Sequence, residues 1–272
     1  MLNVEIEIPE PSRFVSNETV DRIATAYSRA FREKYPAQDG KLLEVELLVD
    51  ELEIPMSFQD DEPEGARILA STENDPKLGT LITINERYRG LFTERPDVYA
   101  AAIGHEVGHI VLGHLKILIP PLDHGSFLLD FEPSPQVRLH KSTWGWYGLT
   151  KGEIEKLKAR ERDAVSTLLK SSSISDDAYQ SLKQLGSLLE PDWMFWQAEC
   201  FARCLLIPLN LLQTALQKDW NFYSWGAIYE LARLFGVSGT MMGIRLKKIG
   251  VIEIINGNPR PGPQFRQTTL FS

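Results

Sequence analysis

The sequence predicts an α+β fold, mostly helical with a small β-sheet, and three observations predict it. Apolar residues recur at helical spacing in several segments, beginning with Val20, Ile23, Ala26, Tyr27 and Phe31 of NETVDRIATAYSRAFREKY. Two short runs, RILAST and TLITIN, flank the turn-rich ENDPKLG and read as the strands of a hairpin. Near the C-terminus, ELARLFGVSGTMMGIRL reads as two helices joined by a turn at Phe235 to Ser238, the outline of a helix-turn-helix.

Composition bounds the answer. The chain has 272 residues, 43% apolar and 24% charged, enough to bury one large core or two small ones. MLNVEIEIPEPS has neither a basic n-region nor a long apolar h-region, so no signal peptide is expected, and no apolar run reaches the roughly 20 residues of a membrane span. The cysteines, Cys200 and Cys204, lie four apart on an expected helix, which is poor disulfide geometry. They read as core residues of a cytoplasmic protein. The net charge of -8 argues against broad binding to nucleic acid or anionic membrane.

Taken in order, the first helix begins behind a cap at Asn17 or Thr19. LLEVELLVDELEI suits a second helix, with a strand left open by its Val and Leu content. The hairpin follows. Pro96 and Asp97 then open a helix expected to run to about Ile119, where Pro120 and Pro121 stop it. Residues 120–149 are irregular and too long for a plain connector. Thr150 and Glu153 form a capping box for KGEIEKLKARERDAVSTLLK, and SDDAYQSLKQLGSLL suggests another helix, so that about 117–190 reads as a loop and helical insertion. Pro191 and Asp192 start WMFWQAECFARCLLI, ended by Pro208. The chain divides into residues 1–212, which carry the insertion, and 213–272, a helix-turn-helix-like segment ending in a loose tail, NGNPRPGPQF.

The chemistry lies in GHEVGH, set within the apolar DVYAAAIGHEVGHIVLGHL. On a helix His105 and His109 are about 40° apart and about 6 Å apart along one face, so both imidazoles can meet one ion. Zinc suits the pair, because neutral imidazole is a good zinc ligand and catalytic sites combine three protein ligands with water. Glu106, beside the first ligand, is placed to act as general base. His114 falls five residues after His109, and in a continuous helix it points away from His105, so it reads as a non-ligand. Glu199, a carboxylate in the apolar WQAECFARCLLIP, is the preferred third ligand; a surface pair with Arg203 is its other reading. Asp123, His124, Asp130 and His140 are further candidates without supporting spacing, and Arg138, His140 and Tyr147 are available to stabilise an oxyanion.

Three motifs in order, GHEVGHIVLGH, QAECFARCLLIP and ELARLFGVSGTMMGIRLKKIGVI, resemble the ImmA/IrrE family of bacterial metallo-endopeptidases, over about Ile68 to Ile252 with a gap. The resemblance implies a zinc-peptidase core, gluzincin-like, with a small sheet flanking the HExxH helix. It implies Zn2+ on His105 and His109, Glu106 as base and an acidic third ligand in the second motif. Two departures stand out. Where the family reads EAN this chain reads Gln197, Ala198, Glu199, moving the acid two places, about 200° on a helix. The separation between His109 and Glu199, 199 minus 109 or 90 residues, is also longer than the family suggests.

The expected function is a zinc-dependent endopeptidase acting on a helix-turn-helix repressor, since relatives cut such repressors. The substrate is expected to add as an extended strand to the TLITIN edge. The alternative is a non-catalytic regulatory protein that binds a repressor or DNA through its C-terminal segment, or a metal-stabilised structural partner. From Gly226 to Arg260 five basic residues (Arg233, Arg245, Lys247, Lys248, Arg260) face two acidic ones (Glu230, Glu253), five minus two giving +3. That modest excess favours packing or partner recognition over sequence-specific reading, with weak DNA binding.

Overall fold

The structure, a computed structural model, describes residues 2–11, 15–36, 43–60, 68–75, 79–115, 138–142, 192–217 and 223–263. Helix α1 (Asn17–Lys34) and helix α2 (Val45–Glu51) precede strands β1 (Met56–Gln59), β2 (Ile68–Asp75) and β3 (Gly79–Asn85). Helices α3 (Arg89–Glu94) and α4 (Pro96–Val111) follow, and then strand β4 (Arg138–Ser142). The C-terminal part supplies α5 (Asp192–Leu206), α6 (Leu209–Leu216), α7 (Trp225–Phe235), α8 (Gly239–Lys248), β5 (Ile252–Ile255) and β6 (Asn258–Pro261). The α+β class holds. Among the described residues no helix is long and apolar enough to cross a membrane. The expected helices at 151–189, and with them Asp123, His124, Asp130 and Tyr147, lie outside the described residues.

RILAST and TLITIN do form an antiparallel hairpin, with Ser71 opposite Thr83. The sheet is larger than expected, in the order β1-β3-β2-β4. Strand β1 pairs parallel to β3, and β4 pairs antiparallel to β2 with Leu139 opposite Thr72. TLITIN is therefore an interior strand, and the expectation that substrate adds to its edge is corrected: among the described residues the edges belong to β1 and β4. Burial of Leu81 through Asn85 without alternation fits that interior place, because a strand covered on both faces has no solvent side to mark with polar residues.

Helix α1 is capped by Ser16, one residue before the expected Asn17, because the extended backbone there aims Oγ at the Thr19 amide, 3.2 Å away. Its apolar stripe, with Val20, Ile23 and Phe31 fully buried, packs on α5, where the Tyr27 and Phe201 rings meet edge to face at 6.1 Å. Helix α4 ends at Val111, well short of Ile119. Gly113, at φ 70°, takes the left-handed conformation that closes a helix, and Leu112 and Gly113 return their amides to Gly108 and Ile110.

The C-terminal helices share the same core: Leu231, Phe235, Met241, Met242 and Leu246 belong to one apolar cluster with α1, α4 and α5. The turn between α7 and α8 uses Gly236 at φ 62° and a Ser238 cap on the Met241 amide. Arg245 points inward from α8. It makes two bonds to Asp21 of α1, at 2.6 and 2.8 Å, and one to the Ile207 carbonyl at 3.1 Å. The expected loose tail is corrected in part. Asn256 and Gly257, both at positive φ, make the two-residue turn of the β5–β6 hairpin, as Asn-Gly between strands should.

Helices α4 and α5 approach closely at Gly108, where an added Cβ would stand 3.1 Å from the Ala198 Cα and 3.2 Å from its carbonyl oxygen. Those are backbone atoms and cannot rotate aside. Gly108→Ala should therefore destabilise the fold by about 1–2 kcal/mol, overpacking outweighing the gain in helix propensity. At Gly104 the nearest contact is the Ala202 Cβ at 3.4 Å, an ordinary distance, so Gly104→Ala should be neutral or slightly stabilising. Urea midpoints of the two variants, equal within error, would contradict this account of the interface.

Candidate metal centre

Helix α4 carries His105, Glu106 and His109 on its buried length, each with no exposed surface. Such polar groups cost a few kcal/mol if buried without partners. The structure supplies partners from the sheet below and from α5 alongside. Thr72 of β2 donates from Oγ1 to Glu106 Oε2 at 2.8 Å and also reaches the Glu106 carbonyl at 3.3 Å. One carboxylate oxygen is thus fixed by the sheet.

The histidines form a continuous polar chain. His105 Nε2 and His109 Nε2 face one another at 2.9 Å, as the four-residue spacing predicts. His105 Nδ1 lies 3.0 Å from Glu199 Oε1, and His109 Nδ1 lies 2.8 Å from His114 Nδ1. His114 Nε2 meets Gln197 Oε1 at 3.1 Å. Aromatic rings of α5 wall the chain, Phe195 against His105 at 5.1 Å and Trp193 edge-on to His114 at 5.5 Å. Burial and then the neighbouring charge of His109 push His114 down to about 3, so it is neutral near pH 7.

His105 and His109 bring their Nε2 atoms together, and Glu106, buried on the same helix, bonds Thr72. Glu199 comes to the same place, its Oε1 3.0 Å from His105 Nδ1, while the Nε2 atoms of His105 and His109 face one another. Among the described residues no three His, Cys, Asp or Glu side chains are arranged to hold a metal ion. At 5% exposure Glu199 is not at the surface either, so its reading as a surface partner of Arg203 is set aside. Cys200 and Cys204 are buried thiols, as read from the sequence. Arg138 and His140 lie on β4.

Two residues have roles that the sequence reading passed over. A continuous helix would point His114 away from His105, whereas the left-handed Gly113 ends α4 and His114 meets His109. The glycine after the apolar run was the signal. Thr72 had none, because only the sheet's position under α4 brings its hydroxyl to Glu106.

The donor set fits zinc at two positions. Nitrogens about 2.0–2.1 Å from a tetrahedral zinc stand about 3.3 Å apart, close to the 2.9 Å between the two Nε2 atoms. A separate cavity of about 990 Å³ lies between α2, the start of α4 and the α7–α8 turn, lined by Glu46, Arg95, Tyr99, Tyr229 and Arg233 among others. None of the chain from Glu199 to Gln197 lines it. No family model matches the chain, and no curated protein matches it.

Thr72→Val should leave the buried Glu106 oxygen without its hydroxyl donor and destabilise the fold by about 1–3 kcal/mol, whereas Thr72→Ser should recover most of the loss. Thermal melts of the two variants check it. Equal losses would mean that the methyl packing of Thr72, and not its hydroxyl, is what matters.

Proposed function

We propose that this protein is a zinc-dependent endopeptidase. The observation that supports the reading is buried α4, where two imidazole Nε2 atoms meet and the carboxylate of the next residue along, Glu106, is bonded by the sheet. His105 and His109 would hold Zn2+. When bound, zinc supplies Lewis acidity, acidifying a water and polarising a carbonyl oxygen. Glu106 takes the proton of the attacking water and passes it to the leaving amine, with Thr72 fixing the angle of its carboxylate. The walls of Trp193 and Phe195 keep the dielectric low around these groups, which strengthens each polar contact.

An extended peptide could reach this helix along a sheet edge. Strand β4 is the edge beside α4, so β4, and not TLITIN, is where a substrate strand would add. The resemblance in the three sequence motifs makes a helix-turn-helix repressor the substrate to try first, in the cytoplasm. The rival, regulation by binding alone, draws on the C-terminal helices. Their inward faces are spent on the core, with Met241, Met242 and Leu246 buried and Arg245 bonded to Asp21, which leaves little for reading DNA.

Glu106→Gln separates the two readings, since it keeps the volume and loses the ability to accept a proton. The variant should retain about one zinc per chain by elemental analysis and still bind a repressor encoded beside it. Cleavage of that repressor should fall by about 100 to 10,000-fold, the usual cost of removing a general base. A variant that inactivates the repressor as well as the wild type does would show that binding alone is the function.

A further inference from the structure

Resting on the zinc reading of His105 and His109, we propose that Glu199 and the His114–Gln197 pair are positioning residues, which hold the two imidazoles by their Nδ1 atoms and aim both Nε2 lone pairs at one metal ion.

The argument is a count of protons along the chain. Gln197 Oε1 can only accept, so His114 carries its proton on Nε2 and donates it across 3.1 Å. With the ring's one proton on Nε2, His114 presents the lone pair of Nδ1 to His109. His109, 2.8 Å away, must supply the proton of that contact from its own Nδ1. At the other end Glu199 is a carboxylate acceptor, so His105 also carries its proton on Nδ1. Each neutral imidazole has one N–H, and both are now assigned to Nδ1. The two Nε2 atoms, 2.9 Å apart, are therefore two acceptors facing one another. Acceptor against acceptor is repulsive at that distance, and a cation between them converts the repulsion into coordination.

The same count explains why Glu199 need not be a ligand. A metal-bound histidine commonly donates its second N–H to a carboxylate or another acceptor, which fixes the tautomer and raises the basicity of the ligating nitrogen. Glu199 does this for His105, and His114 does it for His109. Gln197 has a use in this arrangement: an amide oxygen that accepts from His114 sets the tautomer of the next ring in the chain.

Zinc affinity, measured by competition with a chromophoric chelator on the whole chain, tests the assignment, with Co2+ absorption as a second readout. Wild type should bind one equivalent. His114→Leu should bind about 10 to 100-fold more weakly, and its Co2+ bands should shift. His114→Asn, whose Oδ1 can stand where Nδ1 stood, should return to within a few-fold of wild type with the wild-type spectrum. Gln197→Met should weaken binding in the same direction by less, and it serves if His114→Leu does not fold. Glu199→Gln keeps the acceptor oxygen and should retain one equivalent. A His114→Leu or Gln197→Met affinity equal to wild type, or loss of stoichiometric binding in Glu199→Gln, overturns the positioning assignment and leaves the metal centre standing. A wild type that takes up neither zinc nor Co2+ overturns the zinc reading itself, and the proposal with it.

Discussion

At Gly108 helix α4 has no side chain between its backbone and that of α5, and the arrangement of the buried histidine chain follows from that contact. A Cβ at this position would stand 3.1 Å from the Ala198 backbone. Ala198 lies between Gln197 and Glu199, so the residue that lets α4 come close also sets how far these two polar groups reach. One bonds His105 and the other bonds His114. A methyl group inserted there pushes both ends of the chain outward together.

That contact also explains how so many polar groups can be buried in one place. His105, His109, His114, Gln197 and Glu199 are all at 6% exposure or less. Each would cost on the order of 1–3 kcal/mol if left without a partner, which is a large share of the 5–15 kcal/mol by which a typical domain is stable. The chain resolves this by pairing the groups end to end, and it tolerates one proton arrangement with Gln197 Oε1 facing His114. The unfavourable contact is concentrated at the Nε2 pair. Strain placed at a functional position and offset by the surrounding packing is a familiar arrangement.

The sequence made the pairing of His105 and His109 legible because a four-residue spacing translates directly into a shared helical face. The β2–β3 hairpin was equally plain, since two short strand-forming runs flank the turn-rich ENDPKLG. Strand β1 was not legible: it pairs directly, in parallel, with β3, which comes after β2 in sequence. Glu199 was found as a carboxylate needing a cation, but the sequence could not say which nitrogen of His105 it would meet. His114 was lost through the assumption that α4 continued. One left-handed glycine cancels the rotation argument entirely, because residues beyond it no longer follow the 100° step.

The C-terminal segment is held by the same economy of buried charge. Arg245 is 3% exposed, and its guanidinium is satisfied by Asp21 of α1, the Ile207 carbonyl and the Cys204 sulfur. Removing it would strand Asp21 against the core, so α8 is tied to α1 and to the end of α5 as well as packed on them. A helix so committed has only its outer stripe for a partner: Thr240, Ile244, Lys247 and Lys248. Two lysines neutralise two phosphates, and the electrostatic part of duplex binding through this helix then follows salt with a log-log slope of only about -2. Sequence readers place several polar side chains on base edges as well, and this stripe offers Thr240 alone beyond its charges. The two helices of the helix-turn-helix outline close the core over α1 and α5.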